Sequence, residues 1–153
     1  RVSRNFQGFT EDDSPVLIGI GASAISRFPD LIVQNEKRAG VYRDLIAADQ
    51  LSAVRGVAID ADDRERGRLI KELLCHGTAC LDARWLKSAR AALAPFERLN
   101  ILRWEGERLV VEDHGLPYAR LVAAQFDRHR GAITREDLEP MFSNCADRTA
   151  SRA

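Results

Sequence analysis

The sequence predicts a mainly helical α+β domain that carries a small β-hairpin. Apolar residues recur at helical spacing through most of the middle of the 153-residue chain. The pattern changes between residues 101 and 111, where two short apolar runs flank Glu105-Gly106-Glu107. One continuous apolar run, residues 16–20, comes before this region and is typical of a buried strand. These observations predict three zones: an opening segment (1–33), a mainly helical domain with the hairpin (34–128) and a polar tail (129–153).

The predicted strand at residues 16–20 leads into small residues, which suit a tight turn where the backbone approaches another group closely. The Gly-Ile-Gly at residues 19–21 has the form of a dinucleotide-binding turn. However, the third glycine of that fingerprint is replaced by Ala24, and Pro29 interrupts the helix that should follow. The pattern therefore favours a strand exit that the glycines ease.

The first predicted helix begins at Asn35, a good N-cap residue, and runs to about Ala48. Its apolar side would consist of Tyr42, Leu45 and Ile46. Residues 55–59 are predicted to be a short extended connector.

Two further helices are predicted between residues 62 and 95. Asp62 and Glu65 form a capping-box pattern for the first, and Gly77 is its natural end. Asp82 is expected to cap the second, which Pro95 ends. The apolar positions at helical spacing are Leu69, Ile70, Leu73 and Leu74 in the first helix and Trp85, Leu86, Ala89, Ala92 and Leu93 in the second.

A hairpin and a last helix complete the predicted domain. Residues 101–104 and 109–111 form the hairpin, and Gly115 and Pro117 start a helix that carries Tyr118, Leu121, Val122 and Phe126. The order helix, helix, hairpin, helix is typical of a winged-helix arrangement. In the polar tail, Thr134 is predicted to cap one short helix that ends near Phe142.

The charge balance argues against a non-specific nucleic-acid binder, because 23 Lys and Arg offset 23 Asp and Glu. A winged-helix domain would use residues 82–94, with Arg84, Lys87 and Arg90, as its recognition helix. The predicted hairpin region, however, carries carboxylates that repel phosphate: Glu105, Glu107, Glu112 and Asp113. The sequence thus favours a packing role, and a winged-helix module that binds nucleic acid or protein is the alternative function.

The chain holds no apolar run near the ~18 residues of a membrane span and no signal-peptide pattern. Its cysteines, Cys75, Cys80 and Cys145, are too few for a secreted disulfide framework, so we expect a cytoplasmic protein without a membrane partner. Cys75 and Cys80, with His76 and His114, contain donor atoms suited to zinc. Their loose spacing favours a buried structural Cys75 instead, and no metal ligand is predicted.

Three motifs in the first part of the chain carry a family resemblance. They are RNFQGFT at residues 4–10, LIGIGASAIS at 17–26 and QN at 34–35. In this order they resemble the carboxy-terminal part of oxygen-independent coproporphyrinogen III oxidase, a radical S-adenosylmethionine enzyme. Phe9 stands where that family commonly has Tyr, which is a mild change. The related heme chaperones lack the RNFQG block, so the resemblance favours the oxidase.

The resemblance implies a reaction that this chain cannot run alone. Members of the family hold a 4Fe-4S cluster on a Cys-x3-Cys-x2-Cys loop of a partial barrel and bind two S-adenosylmethionine molecules. A 5′-deoxyadenosyl radical then starts the oxidative decarboxylation of coproporphyrinogen III to protoporphyrinogen IX in heme biosynthesis. No cysteines here have the cluster spacing. We therefore expect a fragment that is inactive alone, with residues 1–33 as a strand segment from the edge of a barrel that lies outside the chain.

Residue by residue, the resemblance predicts three cofactor-binding positions and no catalytic one. Ile25 matches a position that lines the S-adenosylmethionine site, and Phe6 and Gln7 match the edge of the active site. An isoleucine can form an apolar wall that shields a radical from water, a phenylalanine can pack against a ring, and a glutamine amide can donate and accept hydrogen bonds.

The partners that the resemblance implies are the amino-terminal radical S-adenosylmethionine barrel of the same polypeptide and the substrate coproporphyrinogen III. Nucleic acid is not expected as a partner. Because most of the cofactor site would lie on the barrel, we expect this chain alone to bind neither the cluster nor S-adenosylmethionine tightly.

Overall fold

A computed structural model describes residues 2–5, 8–12 and 14–130. The chain divides into two compact units, Arg1–Ala79 and Cys80–Ala153. The fold is α+β, as predicted, with helices and strands in both units. The helix predicted from Thr134 to Phe142 lies outside the described residues. The division into zones at residues 33 and 128 stays a prediction.

The first unit contains two antiparallel sheets. Strands β1 (Ser3–Asn5) and β2 (Gly8–Thr10) form a hairpin in which Asn5 pairs with Gly8. A three-stranded sheet follows in the order β3-β4-β5. Its strands are β3 (Ile25–Arg27), β4 (Leu31–Asn35) and β5 (Ala53–Ala58).

The strand predicted at residues 16–20 is wrong. In the described part of the chain, this run is joined to β3 by one isolated bridge, between Leu17 and Arg27. Ile18 and Ile20 are 69% and 89% exposed, so the apolar run is not a buried strand. The physical reason is that the backbone N–H and C=O groups of Gly19 and Gly21 form hydrogen bonds with side chains rather than with the backbone of a neighbouring strand.

Helix α1 (Ala39–Ala47) begins later than predicted, and its N-cap residue is Arg38. Asn35 does not cap it, because Asn35 ends β4 and its side chain bonds to the loop before β3. Residues 53–58, part of which was predicted as a connector, form β5 and pair with β4 about 20 residues earlier in the chain.

Helix α2 (Ala61–His76) confirms the predicted helix but corrects its start. Asp60 is the N-cap residue, with an extended backbone, and it forms a reciprocal capping box with Asp63. The predicted box of Asp62 and Glu65 is wrong, since both residues already lie inside the helix. Gly77 ends the helix as predicted, in the left-handed conformation that glycine adopts without steric cost.

Helix α3 (Ala83–Arg98) begins at the predicted N-cap residue Asp82, although the Asp82 side chain makes no capping hydrogen bond. The prediction that Pro95 ends the helix is wrong. Proline removes one backbone donor, but the chain continues helically for three more residues. The helix ends where Asn100 takes a positive φ of 56°.

The predicted hairpin is confirmed as β7 (Leu102–Glu105) and β8 (Arg108–Val111), joined by a turn in which Gly106 has a φ of 63°. A strand that the sequence did not predict, β6 (Thr78–Cys80), joins β8, so the sheet order is β6-β8-β7. The boundary between the two units falls within β6.

The described part of the chain ends in a 3₁₀ helix (Asp113–Tyr118) followed by the short helix α4 (Ala119–Ala124). The helix predicted from Gly115 is therefore 3₁₀ in its first part. The largest fully buried side chains of the second unit are Leu81, Leu93, Phe96, Leu102, Leu109 and Val122. Among the described residues, no helix combines the length and apolar character needed to cross a bilayer.

Candidate cofactor-facing site

The candidate site is built around the loop at residues 18–24, which precedes β3 and its first residue, Ile25. Glycine is required at position 19, because a Cβ there would lie 2.5 Å from the backbone oxygen of Ile25. Gly21 has a φ of 110°, a conformation that other residues rarely adopt. Ser23 also has a positive φ, of 65°. The loop thus approaches β3 more closely than any side chain at position 19 would allow.

Side chains from three elements hold this loop. The buried Asn35 amide of β4 donates to the backbone oxygens of Gly19, at 3.3 Å, and Gly21, at 3.0 Å. The Gly19 N–H donates to Ser26 Oγ of β3 at 3.0 Å, and the Gly21 N–H donates to the Tyr42 hydroxyl of α1 at 3.2 Å. The backbone N–H and C=O of both glycines are therefore hydrogen-bonded to side chains, which fixes the loop backbone.

The fixed loop presents apolar side chains to solvent. Ile20, between the two anchored glycines, is 89% exposed, and Ile18 is 69% exposed. Burying an isoleucine side chain is worth about 2 kcal/mol, so two such residues on an anchored loop favour contact with another apolar surface.

Ile25 lies on one face of the β3-β4-β5 sheet and is half-buried. Residues paired directly across antiparallel strands share a face, and side chains alternate between faces along each strand. The register therefore places one set of residues together, which we name the Ile25 face: Ile25, Arg27, Ile32, Gln34, Arg55 and Val57. Gln34 of this face also donates to the Ser23 backbone oxygen at 3.1 Å, which ties the face to the loop.

The other two predicted site residues, Phe6 and Gln7, lie outside the described residues. On either side of them, Asn5 and Gly8 pair as the last register position of the β1-β2 hairpin. Of the three predicted residues, the structure thus places Ile25 alone, beside an anchored loop.

Charge around the loop is mostly neutralised locally. Arg38 donates to both oxygens of Glu36, and the hydrogen bond from the Arg38 side chain lowers the pKa of Glu36. Arg27 and Arg55 of the Ile25 face differ, because neither forms a side-chain hydrogen bond or ion pair with the described residues.

The described residues contain no group of three or more His, Cys, Asp or Glu that could hold a metal ion. Cys75 is half-buried in α2, and Cys80 is exposed. Three closely placed thiolates are the usual minimum for an iron–sulfur cluster. The described residues therefore do not fit a 4Fe-4S cluster.

Two of the three cations of the predicted recognition helix, Arg84 and Arg90, are engaged with the hairpin or with aromatic rings. Arg90 stacks 4.5 Å from the centre of the Trp104 ring and donates to the Gly106 backbone oxygen at 2.7 Å. Arg84 lies 5.4 Å from the ring centre of Trp85. Together with the carboxylates of the hairpin, this arrangement describes a packed helix and hairpin.

Sequence reasoning missed the residues that build the loop, namely Ser26, Asn35 and Tyr42. Asn35 was singled out in the QN motif and predicted to be a helix cap, whereas its side chain bonds 14 and 16 residues back along the chain. A buried asparagine that follows an apolar strand run is the signal that could have found it.

Comparisons with known proteins identify the relatives of this chain. No family model matches it. Curated proteins named oxygen-independent coproporphyrinogen III oxidase are 39% identical in Cereibacter sphaeroides, over 84% of this chain, and 40% identical in Bradyrhizobium diazoefficiens, over 82%. This chain spans about 30% of the length of each.

A solved structure agrees with these relatives. Coproporphyrinogen III oxidase from Escherichia coli, described as a radical SAM enzyme, superposes with a TM-score of 0.77 at 27% sequence identity. The match covers 84% of this chain and 32% of that one. The family resemblance predicted from the sequence is thus confirmed, whereas similarity to a winged-helix domain is not shown.

Proposed function

We propose that this chain, a relative of the oxygen-independent coproporphyrinogen III oxidases, is the carboxy-terminal part of such an enzyme. The sequence similarity that runs through 84% of the chain carries this proposal, together with the structural match to a radical SAM enzyme over the same share. The complete enzyme would convert coproporphyrinogen III to protoporphyrinogen IX by oxidative decarboxylation in the cytoplasm.

The cofactor chemistry belongs mainly to the amino-terminal part in this proposal. S-adenosylmethionine and the 4Fe-4S cluster supply the radical that removes hydrogen from the substrate propionates. The three cysteines of this chain lack the Cys-x3-Cys-x2-Cys spacing that the family uses, so we assign the cluster to the amino-terminal part of the enzyme. This chain contributes one wall of the S-adenosylmethionine site.

Ile25 is the residue of that wall which the structure describes. It begins β3, and its backbone lies directly against Gly19 of the anchored loop. An isoleucine there excludes water from the side of the cofactor and offers no hydrogen that is as easily abstracted as that of a thiol. Phe6 and Gln7 are proposed to line the same site.

Exposed apolar residues support a large partner surface on the first unit. Among the described residues, ten large hydrophobic side chains of this unit are exposed: Val2, Phe9, Val16, Ile18, Ile20, Leu31, Ile46, Leu51, Val54 and Val57. Among the described residues of the second unit, two large hydrophobic side chains are exposed, Leu99 and Leu116. Clusters of exposed hydrophobic residues mark interaction surfaces, and we assign this one to the amino-terminal barrel.

A chimeric enzyme tests the proposal. The region of the Cereibacter sphaeroides enzyme that matches this chain is replaced by residues 1–153, and anaerobic formation of protoporphyrinogen IX is measured. We expect product from the chimera and none from the same enzyme truncated before this region. A chimera that binds its cluster and S-adenosylmethionine but forms neither 5′-deoxyadenosine nor product would overturn the proposal.

An internal control uses two isoleucines of the first unit. Ile25→Asn in the chimera is expected to weaken S-adenosylmethionine binding about tenfold, because it places an amide in an apolar contact. Ile70→Asn, at an isoleucine of α2 that is half-buried as Ile25 is and lies outside the proposed site and partner surface, serves as the matched change. Equal binding by the two variants would remove Ile25 from the proposed site.

A further inference from the structure

The Ile25 face carries two arginines whose charges are not neutralised by neighbouring side chains. Across the sheet, Ile25 pairs with Gln34 and Gln34 with Arg55, while Arg27 pairs with Ile32 and Ile32 with Val57. Both guanidinium groups therefore project from the same face, on either side of β4.

These two arginines differ from the four described arginines that are neutralised by carboxylates. Arg38, Arg66, Arg68 and Arg103 each form ion pairs with carboxylates at 2.6 to 3.2 Å. Arg27 and Arg55 are exposed and have no such partner among the described residues. Two cations on one face, without a carboxylate between them, create a positive potential that attracts an anionic ligand.

The spacing of the two arginines suits a wide ligand. The backbones of β3 and β5 are about 10 Å apart across β4, and the offset of two residues adds about 7 Å along the strands. The two Cα atoms are therefore separated by about 12 Å. One carboxylate is too small to bridge that distance in bidentate contact with both guanidinium groups, whereas two carboxylates at the rim of one macrocycle can meet one arginine each.

The remainder of the face is suited to an apolar ring. Ile32 pairs with Arg27, and Val57, which pairs with Ile32, lies two residues from Arg55 along β5 and is 62% exposed. A face with a cation at each of two opposite corners and apolar residues beside each cation complements a ligand with an apolar centre and an acidic rim.

From this geometry we propose that Arg27 and Arg55 bind two propionate carboxylates of the tetrapyrrole substrate, whose ring lies over Ile32 and Val57. The inference rests on the proposed function and adds to it a substrate-binding role for the sheet itself. The face includes Ile25, in the row with Gln34 and Arg55, so the substrate would lie next to the cofactor wall.

The test measures binding of coproporphyrin III, the stable oxidised form of the substrate, to the full 153-residue chain and to the chimera, by fluorescence. The variants are Arg27→Gln, Arg55→Gln and the double change. Their matched control is Arg98→Gln with Arg120→Gln, two exposed arginines of the second unit that change the net charge equally. Circular dichroism checks that each variant keeps its helices.

We expect each single change to weaken binding on the order of tenfold and the double change on the order of a hundredfold, because charge-assisted hydrogen bonds to carboxylates are lost. The control should bind as the unchanged chain does. Esterifying the propionates should remove the difference between the double variant and the control. Equal affinity of the double variant and the control for coproporphyrin III, or no binding by the unchanged proteins, overturns the inference.

A second arm distinguishes the source of the carboxylate, since S-adenosylmethionine also carries one. If the double change weakens S-adenosylmethionine binding to the chimera and leaves coproporphyrin III binding intact, the assignment to the tetrapyrrole is wrong. Failure of the proposed function looks different. In that case the unchanged chimera gives no turnover, whatever its arginines bind.

Discussion

Asn35 is the residue on which the geometry of the candidate site most depends. Asn35 is 8% exposed, and its amide donates to two backbone oxygens of a loop in which Gly19 leaves no room for a side chain. An amide is suited to this position because its two N–H groups match two carbonyl oxygens. We therefore assign Asn35 a positioning role for the loop that adjoins Ile25.

Replacing Asn35 by aspartate should destabilise the chain by about 2 kcal/mol at neutral pH, because a carboxylate would face two carbonyl oxygens. Gln50→Glu makes the same chemical change on an exposed residue and should cost less than about 0.5 kcal/mol. Urea unfolding measures both. The loss from Asn35→Asp should shrink as the pH falls toward 4, since the protonated acid can donate to one of the oxygens. A loss equal to that of Gln50→Glu would contradict the positioning role.

Glycines 19 and 67 should respond to alanine in opposite directions. Gly19→Ala places a Cβ 2.5 Å from the Ile25 backbone oxygen, so the loop or β3 must shift, and we expect a loss of at least about 2 kcal/mol. Gly67 lies within α2 with open space around its Cα, and Gly67→Ala should stabilise the chain by about 0.5–1 kcal/mol. Thermal unfolding of the two variants provides the comparison. A neutral Gly19→Ala would show that the loop is not closely held.

Among the elements, α2 shows how a helix start can be displaced from its strongest sequence pattern. Asp60 and Asp63 form the capping box, while Asp62 lies in the first turn and pairs with Arg66 at 2.7 Å. Two possible capping boxes overlap here, Asp60 with Asp63 and Asp62 with Glu65. The helix uses the first, in which Asp60 has the extended backbone of an N-cap residue. Further along the helix, hydrogen bonds from Arg68 to Glu65 and Glu72 raise the pKa of Arg68, which stays charged at every accessible pH.

The two aspartates of α2 should therefore differ in their effect on stability. Asp60→Ala removes the N-cap and should cost about 1 kcal/mol. Asp62→Ala removes a partly exposed i,i+4 pair and should cost about 0.5 kcal/mol or less. Chemical denaturation in low salt distinguishes the values. A larger loss for Asp62→Ala would restore the capping box that the sequence pattern favoured.

At the scale of the whole molecule, the two units differ in how well they cover their apolar residues. Helix α1 has no buried residue, and every residue of β5 is exposed. In the described part of the chain, the fully buried large side chains of the first unit are Leu69 and Leu73 of α2, whereas the second unit has six: Leu81, Leu93, Phe96, Leu102, Leu109 and Val122. The first unit is thus the part that needs a partner surface.

The exposed surface predicts that the isolated chain binds a hydrophobic dye and that joining it to the proposed amino-terminal barrel suppresses this binding. Ile20→Ser with Leu51→Ser, which changes residues that are 89% and 90% exposed, should lower dye fluorescence severalfold. Leu99→Ser with Leu116→Ser is the matched pair in the second unit and should have less effect. Equal reductions by both pairs would show that the first unit carries no special apolar surface.

Local signals in the sequence determined the helices of residues 61–76 and 83–98, the hairpin of residues 102–111, the helix end at Gly77 and the family to which the motifs point. Capping residues, apolar spacing and a two-residue turn act within a few positions, so they can be read without knowledge of distant contacts. Tertiary structure decided the rest. Strands β4 and β5 exist because they pair with each other across an intervening helix, and Asn35 became a loop anchor because β4 carries it to Gly19 and Gly21. The pairing of β4 with β3 on one side and with β5 on the other brought Arg27 and Arg55 onto one face. A strand pairing of this kind depends on residues some 20 positions apart, which no local pattern specifies.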